Sequence, residues 1–165
     1  MKTLALAVVS VTAALACTGC GGGSAAVATT SATCHIGGEV DADVTLAQSP
    51  SGLSVSYAGK ALPETGEVLY LVSVDNKLGD EVQLGVRLSG GKEDGTYVFD
   101  PGQDEIKDVA TPATVSATSI TASYPHARLS SLKDHGGVKT WAASVMVGQN
   151  EVTCDGGDAQ GSRRF

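Results

Sequence analysis

Aromatic side chains are scarce in this chain: one Trp, four Tyr and two Phe among 165 residues. A core of stacked rings is therefore excluded, and the interior has to be assembled from small and β-branched side chains, a composition that favours strands. Basic residues are also in short supply, with 11 Lys and Arg against 18 Asp and Glu and a formal net charge of −7. That balance argues against nucleic acid as a partner, because phosphate-backbone binding needs a cationic footprint. No apolar run is long enough to cross a bilayer. The longest uncharged one, Leu4 to Ala16, has 13 residues, against the roughly 20 that a spanning helix requires.

What the chain does have at its start is an export pattern. Lys2 supplies a positive charge, the Leu4–Ala16 run follows, and small residues close it, as in a secretory signal. Gly and Ser rather than a basic stop-transfer cluster come next, which separates this segment from a membrane anchor helix. Ala14-Leu15-Ala16-Cys17-Thr18-Gly19-Cys20 resembles a lipobox, where a small residue precedes the cysteine that takes a diacylglyceryl group. Cys17 follows Leu15-Ala16, and Cys20 follows Thr18-Gly19, so both satisfy the small-residue requirement. Parity favours Cys20: cleavage before it discards Cys17 and leaves Cys34 and Cys154 as a pair, whereas cleavage before Cys17 leaves Cys20 as an odd thiol. The expected organisation is a lipoprotein signal peptide over 1–19, a Gly/Ser/Ala/Thr tether over 20–33, a β-rich extracytoplasmic domain over 34–154 and a disordered polar tail over 155–165. A domain of about 120 residues fits a single core.

Within the domain, apolar residues alternate with polar ones at the period of half-buried strands. Val40, Ala42, Val44 and Leu46 alternate with Glu39, Asp41, Asp43 and Thr45. Leu53, Val55 and Tyr57 follow the Pro50-Ser51-Gly52 turn, which predicts a hairpin. Glu67 to Val74 is apolar on both faces and reads as a central strand. Val82, Leu84, Val86 and Leu88 form another strand ahead of a Gly90-Gly91 turn. Further strands are expected over Thr96–Phe99, Thr114–Ala122, Ala127–Leu132, Val138–Val147 and Glu151–Cys154, with a helical turn over Gln103–Val109 between Pro101 and Pro112. The predicted fold is all-β: a small antiparallel sandwich or incomplete barrel, closed by a disulfide between Cys34 and Cys154. Metal ligation by these thiols with His35 lacks CxxC spacing, and an exported chain meets conditions where disulfides persist.

Candidate chemistry is thin. Ser130-Ser131-Leu132-Lys133 has the SxxK spacing of penicillin-recognising enzymes, but no SDN occurs and Lys139-Thr140 continues with Trp141 instead of Gly. His126 and His135 would serve as an acid/base pair if a carboxylate such as Asp134 met them; beside Pro125 and Gly136-Gly137 they read as exposed loop histidines. Asp100, Asp104, Glu105 and Asp108 would offer oxygen ligands to calcium, but their spacing is not that of an EF-hand loop and a solvated acidic turn is expected. Trp141 is expected to anchor the core. No catalytic residue, metal ligand or cofactor is assigned.

Several segments together resemble the LpqH-type lipoprotein antigens of mycobacteria and related actinobacteria. They are the lipobox with its small-residue tether, Cys34 ahead of the first strand, Val72-Ser73-Val74 with Asp80–Gly85 and Val86-Arg87-Leu88, and the closing Glu151-Val152-Thr153-Cys154. The likeness runs loosely from end to end, and the segment from Asp100 to Pro112 departs from it. The abundance of Ala, Gly and Val agrees with the GC-rich genomes of that group. The resemblance implies a disulfide-closed β domain displayed on the cell envelope, held by its lipidated cysteine and sensed by hosts as an antigen, without enzymatic activity. The expected partners are the membrane, through the N-terminal lipid, and a protein or envelope surface. Carriage of a small apolar ligand or lipid is the alternative.

Overall fold

A computed structural model describes residues 29–38, 40–59, 66–133, 137–155 and 163–165. Among the described residues, twelve strands form two antiparallel sheets. The first contains β1 (Thr30–Ile36), β2 (Ala42–Ser49), β3 (Gly52–Gly59), β8 (Thr114–Val115) and β9 (Ser119–Pro125), in the order β1-β2-β3-β9-β8. The second contains β4 (Glu67–Asp75), β5 (Glu81–Ser89), β6 (Lys92–Asp100), β7 (Glu105–Asp108), β10 (Thr140–Val147) and β11 (Asn150–Thr153), in the order β11-β10-β4-β5-β6-β7. The short β12 (Arg163–Arg164) joins β10 on the edge that β11 leaves open. The fold is thus an all-β sandwich, not a closed barrel.

Period-two alternation decides which side chains meet between the sheets. Ile36, Val44, Leu46, Val55, Tyr57, Ile120 and Tyr124 come from the first, and Tyr70, Val72, Val74, Leu84, Val86, Val98, Trp141 and Val145 from the second; all are buried. Trp141 is fully enclosed, the core anchor expected of it. Tyr57 and Tyr70 meet edge to face across the interior, ring centres 4.9 Å apart.

The sheets are tied together at both margins. At one, the Cys34–Cys154 disulfide spans 120 residues of sequence and joins β1 to the end of β11, and the Asp155 amide donates to the His35 carbonyl at 2.8 Å. At the other, the buried Thr96 hydroxyl accepts from the Ala113 amide at 3.1 Å as the chain crosses toward β8.

Several elements differ from the sequence reading. β1 begins at Thr30, inside the segment read as tether, because Thr30–Thr33 pair with Thr45–Gln48. β2 begins at Ala42 rather than Glu39, since Asp41 adopts a left-handed φ of 39° that breaks the extended backbone. The run from Thr114 divides into β8 and β9 at a tight turn where the Ser116 amide donates to the Ser119 carbonyl at 2.8 Å. Ala127–Leu132 is not a strand: a 3-10 turn (His126–Arg128) leads into a helical turn (Ser130–Lys133). Leu129 and Leu132 are both buried, and their spacing of three suits a helical turn rather than a strand. The reverse holds over Gln103–Val109, which contains β7. Asp100 closes the preceding turn, its carboxylate accepting from the Gly102 amide at 3.1 Å, so the chain folds back against β6. Finally, the segment read as a disordered tail ends in β12, with the Phe165 amide donating to the Lys139 carbonyl at 2.9 Å and its ring packed against the core.

Candidate functional site

Each sheet has one face spent on the core, so contact surfaces must come from the outer faces and the sandwich ends. The outer face of the first sheet carries small and polar residues: Thr33, Thr45, Ser54, Ser56, Thr121 and Ser123, with Ala47, Ala58 and the His35–Asp43 pair. The second sheet differs. Leu69, Leu71, Tyr97, Phe99 and Met146 are half-buried on its outer face, and Ile106 is 64% exposed. In a chain with so few aromatics, two rings on one solvent-facing surface are a marked departure from pattern, and such apolar patches are characteristic of binding surfaces.

Register explains how this face is built. Leu71 pairs with Gly85, and Gly85 with Tyr97. Gly85 has no side chain, and the Tyr97 ring occupies the space a Cβ there would enter. From below, two tyrosines of the first sheet reach across the core to the same residue pair. The Tyr57 hydroxyl donates to the Leu71 carbonyl at 2.8 Å, and the Tyr124 hydroxyl donates to the Gly85 carbonyl at 3.2 Å. Burial pushes the Tyr57 and Tyr124 hydroxyls well above the usual tyrosine range, with smaller contributions from neighbouring tyrosines, so both remain donors near neutrality. Phe99 pairs with Ile106. Around the rim, Arg87 pairs with Asp94 at 2.8 Å, and Glu67, Glu93 and Asp108 add further charge. The result is a shallow groove of about 690 Å³ with an apolar floor and a charged margin, the anatomy of a protein-contact surface.

A second concavity of about 450 Å³ lies at the end of the sandwich where β2 turns into β3. Leu53, Leu129, Leu132 and Val138 form apolar walls, with Gln48 and His126 adding polar groups. Gln48 Oε1 accepts from the Val138 amide at 3.3 Å. Gly137, at φ 83°, leaves the room that Gln48 needs. The His126 imidazole is bonded through Nε2 to the Ser49 carbonyl at 3.2 Å, and a carbonyl partner requires that nitrogen to carry the proton.

The residues singled out from sequence are dispersed by the fold. Cys17, Cys20, Asp134 and His135 lie outside the described residues, and Cys34 and Cys154 form the disulfide. His126 sits half-buried against the β2–β3 turn rather than on an exposed loop. The acidic residues flank the β6–β7 turn: Asp100 is buried as a turn former and pairs with Glu105 in the ladder, Glu105 is ion-paired with Lys107, and Asp108 stands opposite Tyr97. His35 bonds Asp43 at 2.9 Å across the β1–β2 ladder, on the rim of a shallow surface hollow. Among the described residues, no three His, Cys, Asp or Glu side chains group as metal ligands. The apolar outer face was missed in the sequence. Its signal was the two-sided apolarity of Glu67–Val74 together with Tyr97 and Phe99 at alternate positions, which only the pairing with Gly85 brings onto one surface. Neither family models, curated proteins nor solved structures provide a match to the chain.

Proposed function

We propose that this protein is a lipid-anchored envelope lipoprotein whose β-sandwich is displayed outside the cytoplasm and binds a protein partner through the outer face of its second sheet. The carrying observation is the asymmetry of the two outer faces: small and polar side chains without large apolar ones on one, and Leu69, Leu71, Tyr97, Phe99 and Ile106 on the other. Partly exposed aromatic and branched residues inside a charged rim are what interface hot spots are made of. A disulfide-closed domain suits the compartment to which the Leu4–Ala16 segment would direct it. The resemblance to LpqH-type antigens points the same way, toward non-catalytic display, with Cys20 as acceptor of the lipid and Cys17 as the alternative.

The test is comparative cross-linking on intact envelopes. Partners captured by the wild-type chain should be lost in Phe99→Glu and retained in Ser56→Glu on the opposite face. Equal capture by both variants would remove the second sheet from the proposal. Intact mass of the mature chain decides the anchor independently, by the presence of the acyl groups and of Cys17.

Carriage of an apolar ligand is the second reading, and the observation favouring it is the Leu-walled concavity at the end of the sandwich. Its volume is within the range of roughly 300 to 1,000 Å³ typical of small-molecule sites.

A further inference from the structure

The Tyr97 ring lies flat on the second sheet. A Cβ built on Gly85 would meet Cζ of Tyr97 first and stand 2.6 Å from each of its two Cε atoms. Equal distances to the two Cε atoms, with Cζ the nearest, put that point over the ring face rather than beyond the ring edge. One face of the ring therefore rests on the β5 backbone. The other is turned to the groove, which Leu69 and Phe99 line as well.

The charges around this ring are mostly of one sign. Among the residues lining the groove, Arg87 is the one base, and Asp94 pairs with it at 2.8 Å. Glu67, Glu93 and Asp108 line the groove too, and Asp108 stands opposite Tyr97 in the ladder. Among the described residues, neither Glu67 nor Asp108 makes an ion pair, and Glu93 accepts from the Thr96 hydroxyl at 3.1 Å. The register extends the pattern across the outer face. Glu151 lies opposite Met146, and Asp75 opposite Glu81. The bases there are Lys92, opposite Ser89, and Arg164, opposite Thr140. Lys107 alternates with Ile106 and Asp108, so it faces the other way, where it pairs with Glu105. Acids thus outnumber bases on this face, as they do in the whole chain.

A second copy presenting the same face would set these carboxylates against one another, at a cost in free energy. A basic partner complements them. An aromatic face attracts a cation, and a guanidinium group is planar enough to lie on the ring while its N–H groups reach a carboxylate.

We propose that the partner of the second sheet is an arginine-bearing protein segment, one of whose guanidinium groups stacks on Tyr97 and pairs with Asp108 while an apolar neighbour rests on Leu69 and Phe99. The inference rests on the reading of this face as a contact surface and adds the chemistry of what it contacts. Glu67 and Glu93 receive further bases at the groove margin, and the acidic field of the whole face speeds the encounter.

The experiment pans the full chain, as isolated from producing cells, against short random peptides displayed on phage; enriched peptides are then synthesised and titrated. They are expected to carry arginine beside an apolar residue and to bind less tightly as salt is added. Asp108→Asn with Glu67→Gln should weaken them about tenfold and flatten the salt dependence. Tyr97→Leu, which keeps apolar area but removes the ring, should weaken them comparably, whereas Tyr97→Phe should retain them. Ser56→Gln on the first sheet should change nothing. Enriched peptides that lack basic residues and are lost in Phe99→Glu overturn the arginine assignment and leave the contact face standing. Peptides indifferent to Tyr97→Leu, or no enrichment at all, overturn the proposal, while cross-linking of Phe99→Glu on envelopes judges the face separately. Binding of the wild-type chain to an insoluble neutral polysaccharide, lost in Tyr97→Leu, assigns the ring to a sugar and overturns the proposal as well.

Discussion

Reducing the Cys34–Cys154 bridge should remove a large share of the domain's stability while leaving the native fold recognisable. The two cysteines are 120 residues apart, so reduction frees the unfolded chain from a very long closed loop. Chain-entropy arguments put the effect at about 5 kcal/mol, against the roughly 5 to 15 kcal/mol by which such domains are stable. The native state retains other fastenings at this margin. The Asp155 amide still reaches the His35 carbonyl and the Cys154 amide still reaches the Ala143 carbonyl, so reduction acts mainly on the unfolded ensemble. The assay is urea unfolding of oxidised and reduced protein, read by the fluorescence of the buried Trp141. Reduced protein should unfold at much lower urea and with a steeper slope, because an unbridged chain exposes more surface. A loss below about 1 kcal/mol would refute the reasoning, since the bridge would then be closing a loop already closed by residual structure.

Other consequences follow from the pinned centre of the second sheet. Tyr57→Phe removes the donor to the Leu71 carbonyl and should cost about 1 kcal/mol in chemical denaturation; an unchanged midpoint would show that this bond adds nothing over solvent. Burial pushes the Tyr70 hydroxyl up to about 12. Unfolded tyrosines ionise near pH 10, so between these values the unfolded state has released protons that the folded state keeps. The contribution of this tyrosine should therefore be fully present below pH 10 and be lost as pH rises above it, a trend that urea midpoints measured on either side of pH 10 would test. Gly85→Ala should displace the Tyr97 ring and weaken partner capture about tenfold, with little loss of melting temperature; unaltered capture would exclude Tyr97 from the contact surface. Deleting Arg163–Phe165 uncovers part of the β10 edge and should lower stability by about 1 kcal/mol, with faster amide exchange at Thr140 and Trp141 than elsewhere in β10.

Most of the fold was legible because it rests on period-two alternation. The strands carrying Leu53–Tyr57 and Val82–Leu88 bury the side chains their alternation nominates, and Glu67–Val74 is interior to its sheet as read, though its Leu69 and Leu71 stay half-buried on the outer face. Parity, together with the expected export, was enough to pair Cys34 with Cys154. Legibility failed where local hydrogen bonds override alternation. Asp100 turns the chain into β7 through its side chain, and Leu129 and Leu132 share a side at a spacing of three, a periodicity too short to register in so brief a segment. The ends of the domain were misplaced for another reason. Thr30–Thr33 and Arg163–Arg164 are mostly polar and complete sheet edges, with only Ala32 and the adjoining Phe165 adding apolar contact to the core. The candidate surfaces were the least legible, since a sheet face and an end concavity exist only once distant strands are in register.

Gly85 brings these levels together. A glycine inside a strand loses more conformational freedom on folding than other residues and offers nothing to pack, so its presence midway along β5 costs stability. Packing of the core does not require it, because its missing side chain would point outward, away from Val72 and Val86. What requires it is the outer surface: the Tyr97 ring rests in the space it leaves, beside Leu71, while Tyr124 and Tyr57 hold the paired carbonyls from beneath. Were the second sheet's outer face only incidental, an ordinary β-branched residue at this position would give a more stable strand, with Tyr97 turned to solvent. The local penalty at residue 85 is instead offset by a flat aromatic surface braced from the opposite sheet. On the proposed reading, that arrangement would prepare a contact face before a partner arrives, sparing part of the ordering cost of binding.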